Sequence, residues 1–191
     1  MSRLLNVVGF DPSLNNWGLS RGVFKLSEGI DSLKIERLSV IQPENPTGKQ
    51  VRQNSKDIEA AAQLTQGAFE FAKGADAIFV EVPVGSQSAR AMASYGICAG
   101  VLGALRISGI PFFEVTPTEV KLATFGTKTA TKEQMIHWAT NKHPEAPWPT
   151  YKRAGELLIS EAKAEHMADA TAAIYAGVKS QPFQQLIRLM A

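Results

Sequence analysis

The chain has 191 residues, of which 45% are hydrophobic and 20% are charged, a composition typical of one globular domain with a buried core. No apolar run reaches the roughly 18 residues of a membrane-spanning helix, and the polar-interrupted start does not look like a signal peptide. The net charge of +2 is too small to indicate a nucleic-acid partner by itself. We therefore expect a single domain over residues 1–191 that is cytoplasmic and has no membrane partner.

The first forty residues favour β-structure. Apolar or alternating runs predict three strands, from Leu4 to Phe10, from Gly18 to Leu26 and from Leu33 to Ile41. Turn-forming residues separate the first two strands, so an antiparallel meander is expected. After a loop at 43–49, apolar residues at helical spacing predict a helix from Val51 to Lys73 that ends at Gly74.

Strands and helices alternate in the rest of the chain. The patterns predict a buried strand at 77–82, a helix from Gln87 to Ser108, a strand at 111–115, a helix starting at Thr116 and a helix from Lys132 to Asn141. Three prolines between His143 and Thr150 predict a loop. A last helix is expected from about Ser160 to Val178, followed by an apolar tail. This order implies one mixed α/β sheet with helices on its faces.

Two acidic residues stand at or near predicted strand ends. Asp11 ends an apolar strand before Pro12, where ligands gather in open α/β sheets; an Asx turn is the alternative interpretation. Glu81 lies in the apolar run Ile78-Phe-Val-Glu-Val, and a carboxylate in a buried run needs a partner or a metal. Both residues are therefore candidate metal ligands.

His166 and Asp169 are three residues apart in the last predicted helix and so project from one face. The alanines around them indicate a helix that packs tightly and would place this pair at a sheet end, although two exposed polar residues are the alternative. Asp11, Glu81, His166 and Asp169 together form the candidate catalytic and metal-binding set. Oxygen-rich donors favour Mg²⁺, with Mn²⁺ as a substitute, and two such ions can support phosphodiester hydrolysis.

Three motifs point to one family. They are Val8-Gly-Phe-Asp-Pro-Ser, Ala77-Ile-Phe-Val-Glu and His166-Met-Ala-Asp-Ala-Thr-Ala, and together they resemble the RuvC-like Holliday-junction resolvases of the ribonuclease-H-like superfamily. The resemblance covers nearly the whole chain. It implies a five-stranded mixed sheet, made of a three-stranded antiparallel meander and two parallel strands, with helices on both faces. It also implies that the acids matching Asp11, Glu81 and Asp169 bind the catalytic metal, with His166 at a position that is Asp or His depending on the branch.

A basic stretch supplies the predicted DNA contacts. Four lysines fall within residues 121–142, which contain a single acid, Glu133; for lysines, a solvated helix face is the common explanation. Segment 120–132 resembles the family's DNA-contacting segment, with Lys121 and Lys132 at two basic positions eleven apart. The complete set of predicted DNA-binding residues is Lys121, Lys128, Lys132, Lys152 and Arg153.

Two segments depart from the family pattern. Val82-Pro-Val-Gly stands where the family often has an aromatic wedge, and the connection at 141–161 is longer than usual. Trp148 and Tyr151 in that connection either stack on nucleic acid or anchor the loop locally. Elsewhere, Met135, His137 and Trp138 are interpreted as a packing face. Gly126-Thr-Lys-Thr lacks the setting of a phosphate-binding loop, and Cys98 is expected to be a small buried hydrophobic residue.

The resemblance implies a divalent-metal-dependent endonuclease that cleaves branched DNA, above all four-way junctions, as a homodimer. A nuclease of the same fold that acts on RNA/DNA hybrids, flaps or other branches is the first alternative. A nucleotide-binding protein of the sugar-kinase or actin type would need two such domains. A catalytically silent DNA-binding module is the non-enzymatic alternative, which the intact acidic set disfavours.

Overall fold

The computed structural model describes residues 3–47 and 51–190. Its strands are Leu4–Asp11 (β1), Trp17–Lys25 (β2), Lys34–Ile41 (β3), Ala77–Glu81 (β4), Phe112–Val115 (β5), Thr150–Arg153 (β6) and Glu156–Ile159 (β7). Its α-helices are Gln53–Ala72 (α1), Ala89–Arg106 (α2), Pro117–Phe125 (α3), Lys132–Lys142 (α4), Glu161–Lys179 (α5) and Gln181–Met190 (α6). A short 3-10 turn at Gly29–Ser32 precedes β3. Among the described residues, no helix has the length and apolar character needed to cross a membrane.

Five strands form one mixed sheet in the order β3-β2-β1-β4-β5. β1, β2 and β3 pair antiparallel, whereas β4 pairs parallel to β1 and β5 pairs parallel to β4. The predicted meander followed by two parallel strands is confirmed. Because β1, β4 and β5 run in the same direction, their carboxyl ends lie at one edge of the sheet, the edge where ligands gather in such folds.

Alternation along β1 separates two cores. Leu5 and Val7 belong to the cluster under α4, α5 and α6, whereas Val8 and Phe10 belong to the cluster under α1 and α2. This period of two is what a strand buried on both faces requires. The predicted helical layers on both faces of the sheet are therefore confirmed.

Helix α5 lies unusually close to the sheet because glycines face it. A Cβ atom added to Gly9 of β1 would clash with the Ala170 carbonyl oxygen, and one added to Gly18 of β2 would clash with the His166 carbonyl oxygen. Only a residue without a side chain permits this contact between two backbones. The glycines therefore set the position of the helix that bears His166 and Asp169.

The loop prediction beyond His143 needs correction. The proline-rich part forms no regular structure, but β6 and β7 pair as an antiparallel hairpin with Thr150 opposite Ile159. Ala154 and Gly155 form its tight turn, with φ of 51° and 88°, as two-residue hairpin turns require. Most hairpin residues are exposed, so the hairpin has no buried face and its sequence shows no apolar alternation that would predict strands.

The segment after Val178, which the sequence predicts only as an apolar tail, forms the separate helix α6. Ser180 is extended at the end of α5, and Pro182 falls in the first turn of α6, where proline is tolerated. Phe183 is buried, with its ring centroid 5.0 Å from that of Phe79 and 5.2 Å from that of Phe113. This aromatic contact closes the open end of the core beneath α5.

Candidate active site

Asp11 and His166 form the first contact of the site. Asp11 lies two residues beyond Gly9 on β1, so its side chain is on the face that α5 covers. His166 Nδ1 lies 3.0 Å from Asp11 Oδ2, and the two side chains are 21% and 19% exposed. This hydrogen bond, first among its causes, raises the pKa of His166. The raised pKa favours the protonated imidazole, whose Nδ1–H donates this hydrogen bond to the Asp11 carboxylate.

Glu81 enters the site from the neighbouring strand. Phe10 of β1 is paired with Val80 of β4, so the next residues, Asp11 and Glu81, lie side by side at the ends of adjacent parallel strands. Burial, followed by the charges of Asp11 and Asp169, raises the pKa of Glu81 to about 8, while the Lys121 ammonium opposes the shift. The carboxyl of Glu81 therefore keeps its proton at neutral pH unless a cation compensates its charge.

Asp169 lies almost one turn after His166 on α5, on the same face of the helix. Burial raises its pKa first, with further contributions from the charges of Asp11 and Glu165, whereas His166 and Lys132 lower it. Glu81 and Asp169 line the same cavity, and the charge of Asp11 acts on both, so α5 brings the third carboxylate to the ends of β1 and β4. The structure thus gathers the four residues that the sequence singles out.

The donor set suits a divalent cation, although the side chains are not already arranged around one. Within the described ranges, no three side chains of the His, Cys, Asp or Glu type stand as a ready-made metal site. Two carboxyls with raised pKa values and a third carboxylate nearby are nevertheless the hard, mutually repelling oxygen donors that Mg²⁺ or Mn²⁺ would neutralise. A bound cation would draw these side chains together.

Two of the predicted DNA-contacting lysines border the carboxylates. Lys121 on α3 and Lys132 on α4 line a cavity of about 200 Å³ together with Glu81 and Asp169. Hydrogen-bonded capping boxes at Thr116 and Thr131 fix where α3 and α4 begin. The helix starts therefore place both lysines beside the acidic cluster.

Glu165 is a site residue that the sequence interpretation missed. Its Oε1 lies 2.6 Å from Lys132 Nζ, and its charge contributes to the raised pKa values of His166 and Asp169. The residue directly precedes His166, yet nothing in the local pattern distinguishes it from an ordinary exposed helix acid. Only its contact with α4 reveals its place in the site.

The remaining predicted DNA contacts lie further from the carboxylates. Lys128 is exposed between α3 and α4, and Lys152 and Arg153 are exposed on β6. The base of the hairpin is closed by a hydrogen bond from Ser160 N to Pro149 O, 2.7 Å long. Pro149 also lines a cavity of about 270 Å³ that reaches His166, so the hairpin begins beside the candidate site.

Trp148, which the sequence leaves as either a base-stacking residue or a local anchor, is buried. Its indole Nε1 donates a hydrogen bond of 2.8 Å to the carbonyl oxygen of His143. The buried imidazole of His143 lies 3.0 Å from the Tyr175 hydroxyl. Trp148 is therefore a local packing anchor, whereas Tyr151 is partly exposed on the hairpin.

Three further sequence interpretations can be settled. His137 is exposed and contacts Asn141, so its assignment to a packing face was wrong: the side chain points to the side of α4 opposite Met135, which is buried. Gly126 ends α3 with φ of 70° and does not begin a helix as a phosphate-binding loop would. Cys98 is buried, as expected.

No family model and no curated protein matches the sequence, but solved structures match the fold. RuvC of T. thermophilus in complex with a Holliday junction substrate superimposes with a TM-score of 0.62 and 21% identity, covering 96% of each chain. Another Thermus thermophilus RuvC structure gives 0.59 and 23% identity over 97% of each chain. The yeast mitochondrial Holliday junction resolvase Ydc2 gives 0.56 and 17%, covering 96% of this chain and 83% of that one. The chain therefore has the ribonuclease-H-like fold of the RuvC resolvases.

Proposed function

We propose that this chain is a divalent-metal-dependent endonuclease that cleaves branched DNA, with four-way junctions as its preferred substrate. The observation that supports this most is the convergence of Asp11, Glu81 and Asp169, three mutually repelling carboxylates, at the carboxyl edge of the sheet beneath α5. The fold likeness to a RuvC protein bound to a junction favours DNA as the substrate.

The cation would be held by Asp11, Glu81 and Asp169, with His166 as a fourth ligand or a proton donor. When bound as a pair, Mg²⁺ ions would activate water and stabilise the leaving oxygen of the cleaved phosphodiester. The buried surroundings of Glu81 and Asp169 strengthen their interaction with any cation, since few water molecules screen them. Substrate and cation together would replace the protons that these two carboxyls hold in the free protein.

His166 can act on the substrate through its second ring nitrogen. Asp11 engages Nδ1, which orients the imidazole and leaves Nε2 free of that contact. Because the hydrogen bond to Asp11 raises the pKa of His166, the ring keeps its proton to a higher pH than a free imidazole does. It can then donate a proton or a hydrogen bond to an oxygen of the scissile phosphate.

The basic residues outline a path for the DNA backbone. Lys121 and Lys132 border the carboxylate cavity and would contact the phosphates next to the cleaved bond. Lys128, Lys152 and Arg153 are exposed further out and would contact the flanking arms. Such contacts position the backbone without reading the base sequence.

We further propose that the protein acts as a homodimer, because a junction presents two equivalent strands to be cut. Exposed apolar side chains and small residues on the outer face of α1 and α2 support this proposal. Ile58 and Met92 are exposed there, at 71% and 47%, and Gly96, Gly100 and Gly103 have open space around them. A bidentate contact between Arg90 and Asp57 holds the two helices together.

The test is cleavage of a synthetic four-way junction in the presence of Mg²⁺. Asp11→Asn and Glu81→Gln should each reduce the cleavage rate by a factor of about 10³ or more, because each removes a charged ligand, while junction binding is retained. Glu70→Gln, which changes an exposed carboxylate on α1, is the matched control and should cleave normally. Full cleavage by both site variants would refute the proposal.

Matched substrates test the specificity part of the proposal. Four-way, flap, linear duplex and RNA/DNA hybrid substrates are compared under identical conditions. Faster cleavage of the hybrid or the flap would assign the same site to the alternative nuclease activity. Metal-independent DNA binding without cleavage of any substrate would favour the catalytically silent DNA-binding module.

A further inference from the structure

The contact between Lys132 and Glu165 joins two elements at the rim of the candidate site. Lys132 is the first residue of α4, and Glu165 lies on α5 directly before His166. Nζ and Oε1 are 2.6 Å apart, with the Lys132 side chain 74% exposed and that of Glu165 23% exposed. The lysine is therefore open to a ligand while its partner is largely covered by protein.

The position of this pair matters more than its stability. An exposed ion pair typically contributes little to folding, but Lys132 lines the same cavity as Glu81 and Asp169. Without Lys132, Glu165 would add a further negative charge to a place that already holds three carboxylates. The ion pair thus keeps the Lys132 ammonium group at the cavity and neutralises the charge of Glu165.

We infer that Glu165 is a positioning residue that holds Lys132 in the DNA-free protein and is exchanged for a backbone phosphate when DNA binds. This inference rests on the proposed function. Carboxylate and phosphate oxygens are equivalent acceptors for an ammonium group, whose flexible four-carbon stem lets it move between them. Glu165 occupies the place of the phosphate until the substrate arrives.

The exchange has a consequence for affinity. Forming the contact between Lys132 and a phosphate requires breaking the contact with Glu165, so Glu165 weakens DNA binding mainly through Lys132. Neutralising Glu165 should therefore tighten binding by roughly two- to fivefold, the range that an exposed ion pair represents. The same change should have a smaller effect once Lys132 is gone, because only the repulsion between the Glu165 charge and the phosphates then remains.

A double-mutant cycle measures this coupling. Wild type, Glu165→Gln, Lys132→Met and the double variant are titrated with a fluorescent four-way junction in EDTA, where neither cleavage nor metal binding by Glu165 contributes. Glu165→Gln should bind more tightly than wild type. Lys132→Met should bind more weakly, with the slope of log K against log salt reduced by about 0.9, the value for one phosphate contact. The double variant should differ from Lys132→Met by less than Glu165→Gln differs from wild type.

Two further variants separate this role from a general charge effect. Glu161→Gln removes an exposed acid from the first turn of the same helix and should change binding equally with and without Lys132. Lys132→Arg keeps the positive charge and should retain the response to Glu165→Gln. The Lys132 side chain is exposed and that of Glu165 is partly covered, so thermal unfolding is measured for every variant, and each should melt as wild type does.

The outcomes distinguish this inference from the proposed function. Equal tightening by Glu165→Gln in both lysine backgrounds would show that Glu165 acts as a bulk negative charge, and would overturn the inference while DNA binding stands. Weaker binding by Glu165→Gln would show that Glu165 presents Lys132 to the phosphate, which also overturns it. Failure of all the proteins to bind any DNA substrate would reject the proposed function and this inference together.

Discussion

Asp11 takes part in two opposing interactions at the residue scale. It accepts a hydrogen bond from His166, and its charge contributes to the raised pKa values of Glu81 and Asp169. The first interaction stabilises the folded protein, whereas the second costs stability whenever the other two carboxyls ionise. A cation would remove that cost, which gives the metal-free protein a measurable dependence on pH.

The stability of the metal-free protein should fall as the pH rises from about 4.5 to about 8. Glu81 keeps its proton up to about pH 8 in the folded protein but loses it near its ordinary value of 4.5 when unfolded. The folded state therefore binds more protons in this window, so the free energy of unfolding decreases with pH. Glu81→Gln should be more stable than wild type by about 4 kcal/mol at pH 8 but not at pH 4.

Urea unfolding in EDTA at several pH values between 4 and 8 measures this difference. Glu70→Gln is the control and should follow the wild-type curve. Mg²⁺ should raise the stability of the wild type at pH 8 and have less effect on Glu81→Gln. A Glu81→Gln curve parallel to that of wild type would contradict the assignment of the raised pKa to Glu81.

The protonation of His166 gives a second prediction at this scale. Asp11→Asn removes the charged acceptor that is the first cause of the raised His166 pKa, so this pKa should fall. NMR titration of the imidazole protons measures it in the absence of metal. His137, far along α4 from Asp11, is the internal control, and an unchanged His166 would contradict the role of the hydrogen bond.

At the scale of elements, α5 depends on the glycines beneath it. Gly9→Ala should destabilise the protein by roughly 1–3 kcal/mol, because its methyl group would meet the Ala170 carbonyl and the Ile174 side chain. Cleavage should fall more steeply than stability, since any shift of α5 separates Asp169 from Asp11. Thermal unfolding and cleavage rates are measured on the same samples.

Gly85→Ala is the matched control for this prediction. A Cβ atom at Gly85 meets nothing within 4 Å, so its stability should stay within about 0.5 kcal/mol of wild type. Equal effects of the two substitutions would show that backbone flexibility, and not the contact between α5 and β1, limits the stability.

The β6–β7 hairpin carries Lys152 and Arg153, two of the residues that the sequence predicts to contact DNA. Replacing Lys152 and Arg153 with alanine should weaken junction binding and reduce the salt slope by about 1.8, which corresponds to two phosphate contacts. The control replaces Lys34, at the start of β3, and Lys73, directly after α1. Similar losses from both pairs would indicate a general effect of net charge.

For the whole molecule, the proposed dimer is the feature open to a direct test. Light scattering should give twice the chain mass of 20.7 kDa for the wild type. Met92→Glu on the outer face of α2 should give a monomer that still folds, because the side chain is partly exposed, but that no longer cuts both strands of a junction in one encounter. Leu189→Glu changes an exposed side chain of α6. This variant should remain a dimer if the contact between the two copies is confined to α1 and α2.

Much of the fold can be predicted from the amino-acid sequence alone. The apolar run of β1, the strand-helix alternation after residue 77 and the helix start at Thr116 predict elements whose ends agree with the structure within about two residues. These signals are local, since they depend on neighbours a few positions away. The placement of Asp11 and Glu81 at strand ends, and the one-face spacing of His166 and Asp169, are local in the same sense.

The remaining features depend on contacts between distant segments. The hydrogen bond between His166 and Asp11 joins residues 155 positions apart. The ion pair between Lys132 and Glu165 joins α4 to α5, which are separated in sequence by the β6–β7 hairpin that the sequence does not predict. The strands of that hairpin are short and mostly exposed, so neither a buried face nor a period marks them. The sequence by itself determined which residues can do chemistry, but only the tertiary structure decided which of them meet, because their proximity results from the packing of α5 on the sheet.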